Sequence, residues 1–192
     1  MIKVKSGPGR TGGNTVYACR SLIPNTPYIT RDQESALIAS IDDQPWLNDL
    51  KRRVQHYGYK YDYKARAVTP DSYFGPLPDW LDPVLETLPF KPNQAIVNEY
   101  EPGQGISAHV DCVPCFGTMI ASLSLGSGAV MQFTNCNEKQ EIYLEPRSLI
   151  VLSGKARYDW AHAIPARKSD MVGGFKIEHG RRVSLTFRTV LT

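Results

Sequence analysis

His109 and Asp111 stand two residues apart, just after a turn-forming run, Pro102-Gly103-Gln104-Gly105. If the chain returns from that turn as a strand, alternation projects both side chains from one face, where they can grip a single ion. An imidazole and a carboxylate so placed form two corners of a 2-His-1-carboxylate iron site, which leaves positions on the metal open for chemistry. The same residues could instead decorate a solvated loop. A third ligand has to come from His56, His162 or His179. His162 is the candidate, because it sits in a strand-like run, 156–164, far enough downstream for several strands to fold back onto the pair. Spacing alone leaves open whether it is a ligand or an ordinary core histidine.

The last segment is an independent clue. Arg182-Val183-Ser184-Leu185-Thr186-Phe187-Arg188 alternates strictly, with Arg182, Ser184, Thr186 and Arg188 on one face and the apolar residues on the other. The apolar face belongs in a core. If the polar face also points inward, two guanidinium groups must meet anions, because a buried unpaired charge is very costly. A small dicarboxylate lying along the strand would satisfy both, since the planar guanidinium fork suits carboxylates. The alternative is an edge strand with Arg182 and Arg188 in solvent.

These groups need a scaffold, and the pattern of the chain predicts one. Residues 15–22 alternate as a first strand, closed by Pro24 and Pro27. Thr30 reads as a helix cap with Gln33 as its capping-box partner, and Leu37, Ile38 and Ile41 follow at helical spacing, predicting an amphipathic helix over 31–42 that Pro45 ends. A proline-rich passage, 70–92, is expected to form a loop, a short helix with Pro83 in its first turn, and a second loop. Short turn-bounded strands are predicted at 117–125, 128–134, 140–144, 148–153, 158–164 and 181–190, with 166–180 as an exposed loop. That pattern argues for a sandwich, barrel or jelly roll.

A chain of 192 residues suits one domain with a sizeable core, and 42% hydrophobic with 21% charged residues is ordinary globular composition. No apolar run is long enough to span a membrane, and the N-terminus lacks a signal-peptide core. Residues 1–16, crowded with Gly7, Gly9, Gly12 and Gly13, read as a flexible leader before a single domain over 17–192. The four cysteines are too few and scattered for a secreted scaffold, so a reduced, cytoplasmic monomer is expected, with Cys112 and Cys115 as ordinary loop thiols rather than a zinc or redox pair.

The net charge of +3 is small, but residues 1–70 hold eleven Lys/Arg against six Asp/Glu. Much of that excess falls in 51–66, where basic residues interleave with Tyr57, Tyr59, Tyr61 and Tyr63. Rings that stack on bases beside cations that meet phosphates suit nucleic acid. Taken alone, the segment could equally be an edge hairpin whose tyrosines cover the core.

Together, His109-x-Asp111, His162, Arg182-x5-Arg188 and the upstream Asn98-x-Tyr100 resemble the AlkB family of iron(II)- and 2-oxoglutarate-dependent dioxygenases over roughly residues 17–190. Within that family, the runs 55–63, 100–106, 122–127 and 154–158 are most similar to the dioxygenase domain of the tRNA wobble-uridine hydroxylases. The 192 residues are expected to hold that domain alone, without the RNA-binding and methyltransferase domains that accompany it there.

The resemblance implies a mainly β, α+β fold: a double-stranded β-helix, or jelly-roll core, with N-terminal helices and a nucleotide-recognition hairpin or lid. It implies that His109, Asp111 and His162 ligate Fe(II), and that 2-oxoglutarate and O2 fill the open positions. Arg182, aided by Tyr100, would pair with the distal carboxylate of 2-oxoglutarate, and Arg188, aided by Asn98, with the carboxylate nearer the metal. Ser184 would line the same site, where many relatives carry asparagine. The implied activity is oxidative dealkylation of bases in DNA or RNA, or hydroxylation of a modified wobble uridine in tRNA. A jelly-roll binding module without catalysis is the reading that the triad and the arginines oppose. The lid assigns Tyr57, Tyr59 and Tyr61 to stacking or phosphate contact, with Arg52, Arg53 and Lys60 as phosphate partners. Val113 stands where bacterial repair members often carry a second aspartate that contacts the damaged base.

Overall fold

Thr30 and Gln33 close the expected capping box: Thr30 Oγ1 accepts from the Gln33 N–H at 3.2 Å, and Gln33 Oε1 accepts from the Thr30 N–H at 2.8 Å. The helix they start, α1 (Arg31–Asp42), turns Leu37 and Ile41 into a core that lies outside a large sheet. In the computed structural model the described residues are 3–4, 15–19, 27–48, 50–136 and 138–191. The other elements are β1 (Lys3–Val4), β2 (Thr15–Cys19), β3 (Val54–Tyr57), α2 (Asp82–Leu85), β4 (Gln94–Tyr100), β5 (Ile106–His109), β6 (Phe116–Gly126), β7 (Ala129–Thr134), β8 (Lys139–Leu144), β9 (Leu149–Ser153), α3 (Lys155–Tyr158), β10 (Ala161–Ile164), β11 (Ser169–Val172), β12 (Phe175–Glu178) and β13 (Arg182–Val190).

Two facing sheets make the jelly roll. The larger has the order β1-β2-β9-β6-β13-β4-β3, and the smaller β5-β10-β7-β8; all pairings are antiparallel except β1 with β2. Strand alternation divides the larger sheet chemically. Val183, Leu185 and Phe187 of β13, with Ala95 and Val97 of β4, face outward under Leu37, Ile41, Leu81 and Val84. Ile120, Ile150 and Leu152 face inward and meet Met131, Phe133, Trp160 and Ile164. The inner face of β13 is thus enclosed rather than solvated, which excludes an edge strand. No helix among the described residues is long and apolar enough to cross a membrane.

The turn at 102–105 does not make a hairpin: β4 belongs to the larger sheet and β5 to the smaller, so it carries the chain across the sandwich. Two local expectations need correction. The strand expected over 158–164 is shorter, because a helical turn, α3, occupies 155–158 and only 161–164 pairs. The loop expected over 166–180 folds as the β11–β12 hairpin. Gly173 and Gly174 close it at φ +58° and +86°, the double positive φ that a tight two-residue turn requires. Of the expected leader, residues 1–2 and 5–14 lie outside the described residues, as do 20–22 of the first strand.

Asp170 anchors that hairpin from a position 2% exposed. It accepts from Val130 N–H at 2.6 Å, His179 Nε2 at 2.7 Å and Arg167 Nε at 2.5 Å. Burial raises its pKa, but the Val130 N–H, His179 and Arg167 outweigh burial and hold it below the ordinary carboxylate range. A carboxyl so depressed stabilises the fold above its unfolded pKa and loses that contribution as pH falls through the folded value. Asp170→Ala should therefore cost about 3 kcal/mol in urea unfolding at pH 7. The gap from wild type should narrow below about pH 4. An equal gap at pH 7 and pH 3 would show that the carboxylate charge is not what anchors the hairpin.

Candidate active site

β5 and β10 run antiparallel in a register that sets His109 directly opposite His162, with ring centroids 4.4 Å apart. Asp111 joins them from beyond the strand. The described β5 ends at His109, so the carboxylate reaches the histidines from the loop that follows and not from a shared strand face, as the alternation argument had expected. One ligand atom from each of the three residues lies within 4.8 Å of the others. His109 Nδ1 sits 2.8 Å from the Ser107 carbonyl, which only accepts, so Nδ1 carries a proton and Nε2 is the nitrogen that offers a lone pair in the neutral ring.

Electrostatics puts His162 and Asp111 in the protonation states that a metal needs. Burial lowers the pKa of His162 to about 4 although Asp111, 3.6 Å away, pulls the other way, so its imidazole is neutral near pH 7. For Asp111, burial raises the pKa, but Arg188, then His162, His109 and Arg157, bring it down to about 2. The carboxylate is ionised.

The cluster opens on a cavity of about 540 Å³ between the two sheets. Arg182 lines it from β13 and is 3% exposed. Its Nη2 donates to Ser124 Oγ at 3.0 Å and its guanidinium lies 5.4 Å from the Tyr100 ring centroid, whereas Nε and Nη1 have no hydrogen-bond partner. At the other end of β13, Arg188 grips Asp111 Oδ1 through Nη2 at 2.7 Å and Nε at 3.0 Å. Between them Ser184 and Ser122 share a 2.8 Å hydroxyl contact. Asn98, opposite Ser184 in the register, accepts from Arg52 Nε at 2.9 Å. Expected cosubstrate residues Asn98, Tyr100, Arg182, Ser184 and Arg188 therefore all meet in one cavity with the histidines.

The expected substrate residues divide. Arg52 and Tyr61 line the cavity. Tyr59 instead joins a small satellite core and stacks on the exposed Tyr73, with which it forms an isolated bridge, and Lys60 beside it is exposed. Tyr57 and Arg53 do not reach the cavity, because alternation turns them to the outer face of the sheet. Tyr57 pairs with Ala95, donates to Gln55 Oε1 and packs on Trp80; Arg53 binds Glu99 at 2.5 and 2.7 Å and stacks over Trp46. Cavity residues that sequence reasoning did not select are Tyr63, Arg66, Phe116 and Ser122. Tyr63 was legible as the fourth tyrosine of the basic–aromatic run; Phe116 and Arg66 carried no local signal. The free thiols expected at Cys112 and Cys115 are a disulfide, since the turn after Asp111 brings their Cα atoms to 5.3 Å, within bridging range.

A family model described as the 2OG-Fe(II) oxygenase superfamily matches residues 26–188. The chain is 38% identical over 174 residues to the uncharacterized protein L905 of Acanthamoeba polyphaga mimivirus, covering 85% of this chain and 82% of that one. It is 37% identical over 200 residues to the alkylated DNA repair protein ALKBH8 homolog of Arabidopsis thaliana, covering 88% of this chain and 57% of that one. Against the tRNA (carboxymethyluridine(34)-5-O)-methyltransferase ALKBH8 of Mus musculus it is 36% identical over 193 residues, covering 84% of this chain and 29% of that one. It thus spans little more than half of the plant protein and less than a third of the mouse protein. The solved structure of OsALKBH1 shares the fold, with a TM-score of 0.62 at 17% identity over 84% of this chain and 93% of that one. The chain belongs to the 2OG-Fe(II) oxygenase superfamily and, within it, to the AlkB family. It is therefore a dioxygenase whose chemistry uses Fe(II), 2-oxoglutarate and O2.

The approach of β5 to β10 depends on Gly105, where an added Cβ would lie 2.2 Å from the Ile164 carbonyl oxygen and 2.8 Å from the Ala166 nitrogen. Gly105→Ala should cost about 2 kcal/mol, roughly 5 °C in Tm, as the strands are forced apart. Because His109 and His162 face each other across that pair, Mn(II) affinity should fall as well. A variant with unchanged melting and Mn(II) binding would show that this close approach does not set the spacing of the histidines.

Proposed function

We propose that this chain oxidises alkyl groups carried on bases of DNA or RNA, with Fe(II) held by His109, Asp111 and His162 and 2-oxoglutarate held along β13. The observation that carries the cosubstrate assignment is Arg182: a guanidinium 3% exposed, lining the same cavity as the histidines, with two N–H groups lacking a protein partner. A buried guanidinium left so would be costly, and a carboxylate in the cavity would supply a missing acceptor. The residues present therefore fit a dicarboxylate. When bound, the metal and 2-oxoglutarate supply the oxidation of a C–H bond by O2, with loss of succinate and CO2.

The chain's own groups prepare that chemistry. The Ser107 carbonyl orients His109 through its Nδ1–H, an outer-shell contact of the kind that fixes tautomer and ring direction. Arg188 occupies Asp111 Oδ1, so Oδ2, which faces His162, is the oxygen free for metal. Tyr100, aided by its position between Arg52 and Arg182, walls the distal end of the site. Ile120, Ile150, Leu152 and Met131 line the interior and exclude water. Tyr61 and Tyr63 line the cavity toward the 59–73 hairpin and offer rings to an extruded base, whose stacking offsets part of the cost of leaving the duplex. If the oxidised carbon is on nitrogen, the hydroxylated product collapses to formaldehyde and the unmodified base. If it is on carbon, the alcohol persists.

Hydroxylation of a modified wobble uridine in tRNA is the second reading, and the charge of the cavity favours it. Lys51, Arg52 and Arg66 line the cavity, and among the described residues Asp111 is the one acidic residue that does. Val113, 48% exposed, supplies no carboxylate either. Adenine alkylated at ring N1 or cytosine alkylated at ring N3 is cationic and would meet repulsion there, whereas a uracil ring is neutral.

Fe(II) or Mn(II) with 2-oxoglutarate should raise Tm, and Arg182→Ala should remove the share due to 2-oxoglutarate while keeping that due to metal. Equal shifts in both proteins would sink the cosubstrate assignment. Methylated DNA and RNA oligonucleotides and tRNA bearing modified wobble uridine should be compared by mass spectrometry. Formaldehyde release supports dealkylation, and a retained oxygen on tRNA supports hydroxylation. Tyr61→Ala should lower turnover of the nucleic acid about tenfold or more while succinate formed without substrate changes little; equal losses would remove Tyr61 from substrate recognition.

A further inference from the structure

Beyond its small share in keeping Asp111 ionised, Arg157 has no role assigned above, yet its side chain is among the most completely buried of the described residues, at 2% exposure. It stands on α3, the single helical turn between β9 and β10, five residues before His162. Its guanidinium reaches neither a carboxylate oxygen nor solvent. Nη1 donates to the main-chain carbonyl of Asp111 at 2.9 Å and Nη2 to that of Cys112 at 3.1 Å. Nε is left without a partner. Burying a cation against two neutral carbonyls is expensive, and an apolar side chain of similar size would fill the space at lower cost.

The position of Asp111 explains the arrangement. β5 stops at His109, so the sheet ladder does not hold the carbonyls of residues 111 and 112. The Asp111 side chain is fixed on one oxygen by Arg188, but that contact leaves its main chain free to shift. We propose that Arg157 is a positioning residue for the metal site: its fork clamps the two consecutive carbonyls and holds the Asp111 carboxylate at the distance from His109 and His162 that the ion requires. The segment 155–162 then sets two ligands at once, His162 directly and Asp111 through Arg157. A lysine at this position keeps the charge but lacks the planar fork that spans both carbonyls.

This inference rests on the reading of His109, Asp111 and His162 as metal ligands, and the experiment separates the two. Mn(II) affinity of the full chain is measured by titration for wild type, Asp111→Ala, Arg157→Lys and Arg157→Gln, with Arg147→Ala as control. Arg147 pairs with Glu34 at 2.9 Å and its side chain does not line the cavity, so its loss reports general destabilisation. Wild type should bind Mn(II) and Asp111→Ala should not. Both Arg157 variants should bind 10- to 100-fold more weakly, in the range seen when outer-shell groups are removed. With Mn(II) saturating, their 2-oxoglutarate affinity should stay within about threefold of wild type, and Arg147→Ala should keep wild-type Mn(II) affinity despite a lower Tm. Wild-type Mn(II) affinity in Arg157→Lys and Arg157→Gln, or equal weakening in Arg147→Ala, overturns the positioning role. Wild-type affinity in Asp111→Ala overturns the ligand assignment itself.

Discussion

Burying both faces of β13 is the constraint on which the rest depends. One face carries Val183, Leu185 and Phe187 into an apolar core; the other carries Arg182, Ser184 and Arg188 into the space between the sheets. Burial of the apolar face contributes about 1.5–3 kcal/mol per large side chain, which favours the fold wherever the polar face ends up. What makes the polar face tolerable is local. Arg188 finds the Asp111 carboxylate, and Arg182 finds a serine hydroxyl and an aromatic face while keeping two N–H groups directed at no protein acceptor. The sandwich therefore stores an unmet hydrogen-bonding demand in its centre. A carboxylate cosubstrate would answer that demand, and binding energy and folding energy would then be linked through one guanidinium.

The same strand couples the cosubstrate side of the cavity to the metal side. Arg188 does not stand apart to await a ligand; it already holds one oxygen of the carboxylate that completes the histidine cluster. A charge that would otherwise be uncompensated between the sheets thus fixes Asp111 and keeps it ionised. Glu99 shows the complementary case one residue along on β4. Alternation turns it to the opposite side of the sheet, where Arg53 and Arg181 neutralise it, and both arginines are thereby withdrawn from any ligand. Alternation thus sets Arg188 with Asp111 inside the sandwich, and Glu99 with Arg53 and Arg181 outside it.

Much of this was legible because it rests on short periods. The capping box at Thr30 and Gln33, the helix 31–42, the outer and inner faces of 182–188 and most strand positions follow from side-chain spacing within one element. What was not legible depends on where elements stop or on partners far away in sequence. Period-two alternation does not announce that β5 ends at His109, so Asp111 looked like a strand residue. It does not reveal which face of the short β3 meets the cavity, so Arg53 and Tyr57 looked equivalent to Arg52 and Tyr61. The segment 166–180 read as a loop because Asp170 and His179 are polar, and their burial makes sense only once Val130 and Arg167 supply the missing partners. The bridge between Cys112 and Cys115 likewise follows from a turn geometry that two cysteines in sequence do not dictate.

The distribution of charge around the cavity carries the functional argument further than the metal cluster can. A His-Asp-His cluster with an arginine-lined pocket defines a reaction type, and proteins sharing it can differ entirely in substrate. Discrimination has to come from the wall that the substrate meets. Here that wall offers aromatic rings and positive charge, while Asp111, the acidic residue on it, is already engaged by Arg188 and by the histidines. Positive charge in an enclosed, low-dielectric site repels a cation more strongly than the same charge would in water, and it attracts phosphate. On the proposed reading, a nucleic-acid strand would be drawn to the mouth by its backbone, while the pocket behind would select against bases that alkylation has made cationic. A base that is neutral or acidic would meet neither obstacle, and uracil derivatives are of that kind.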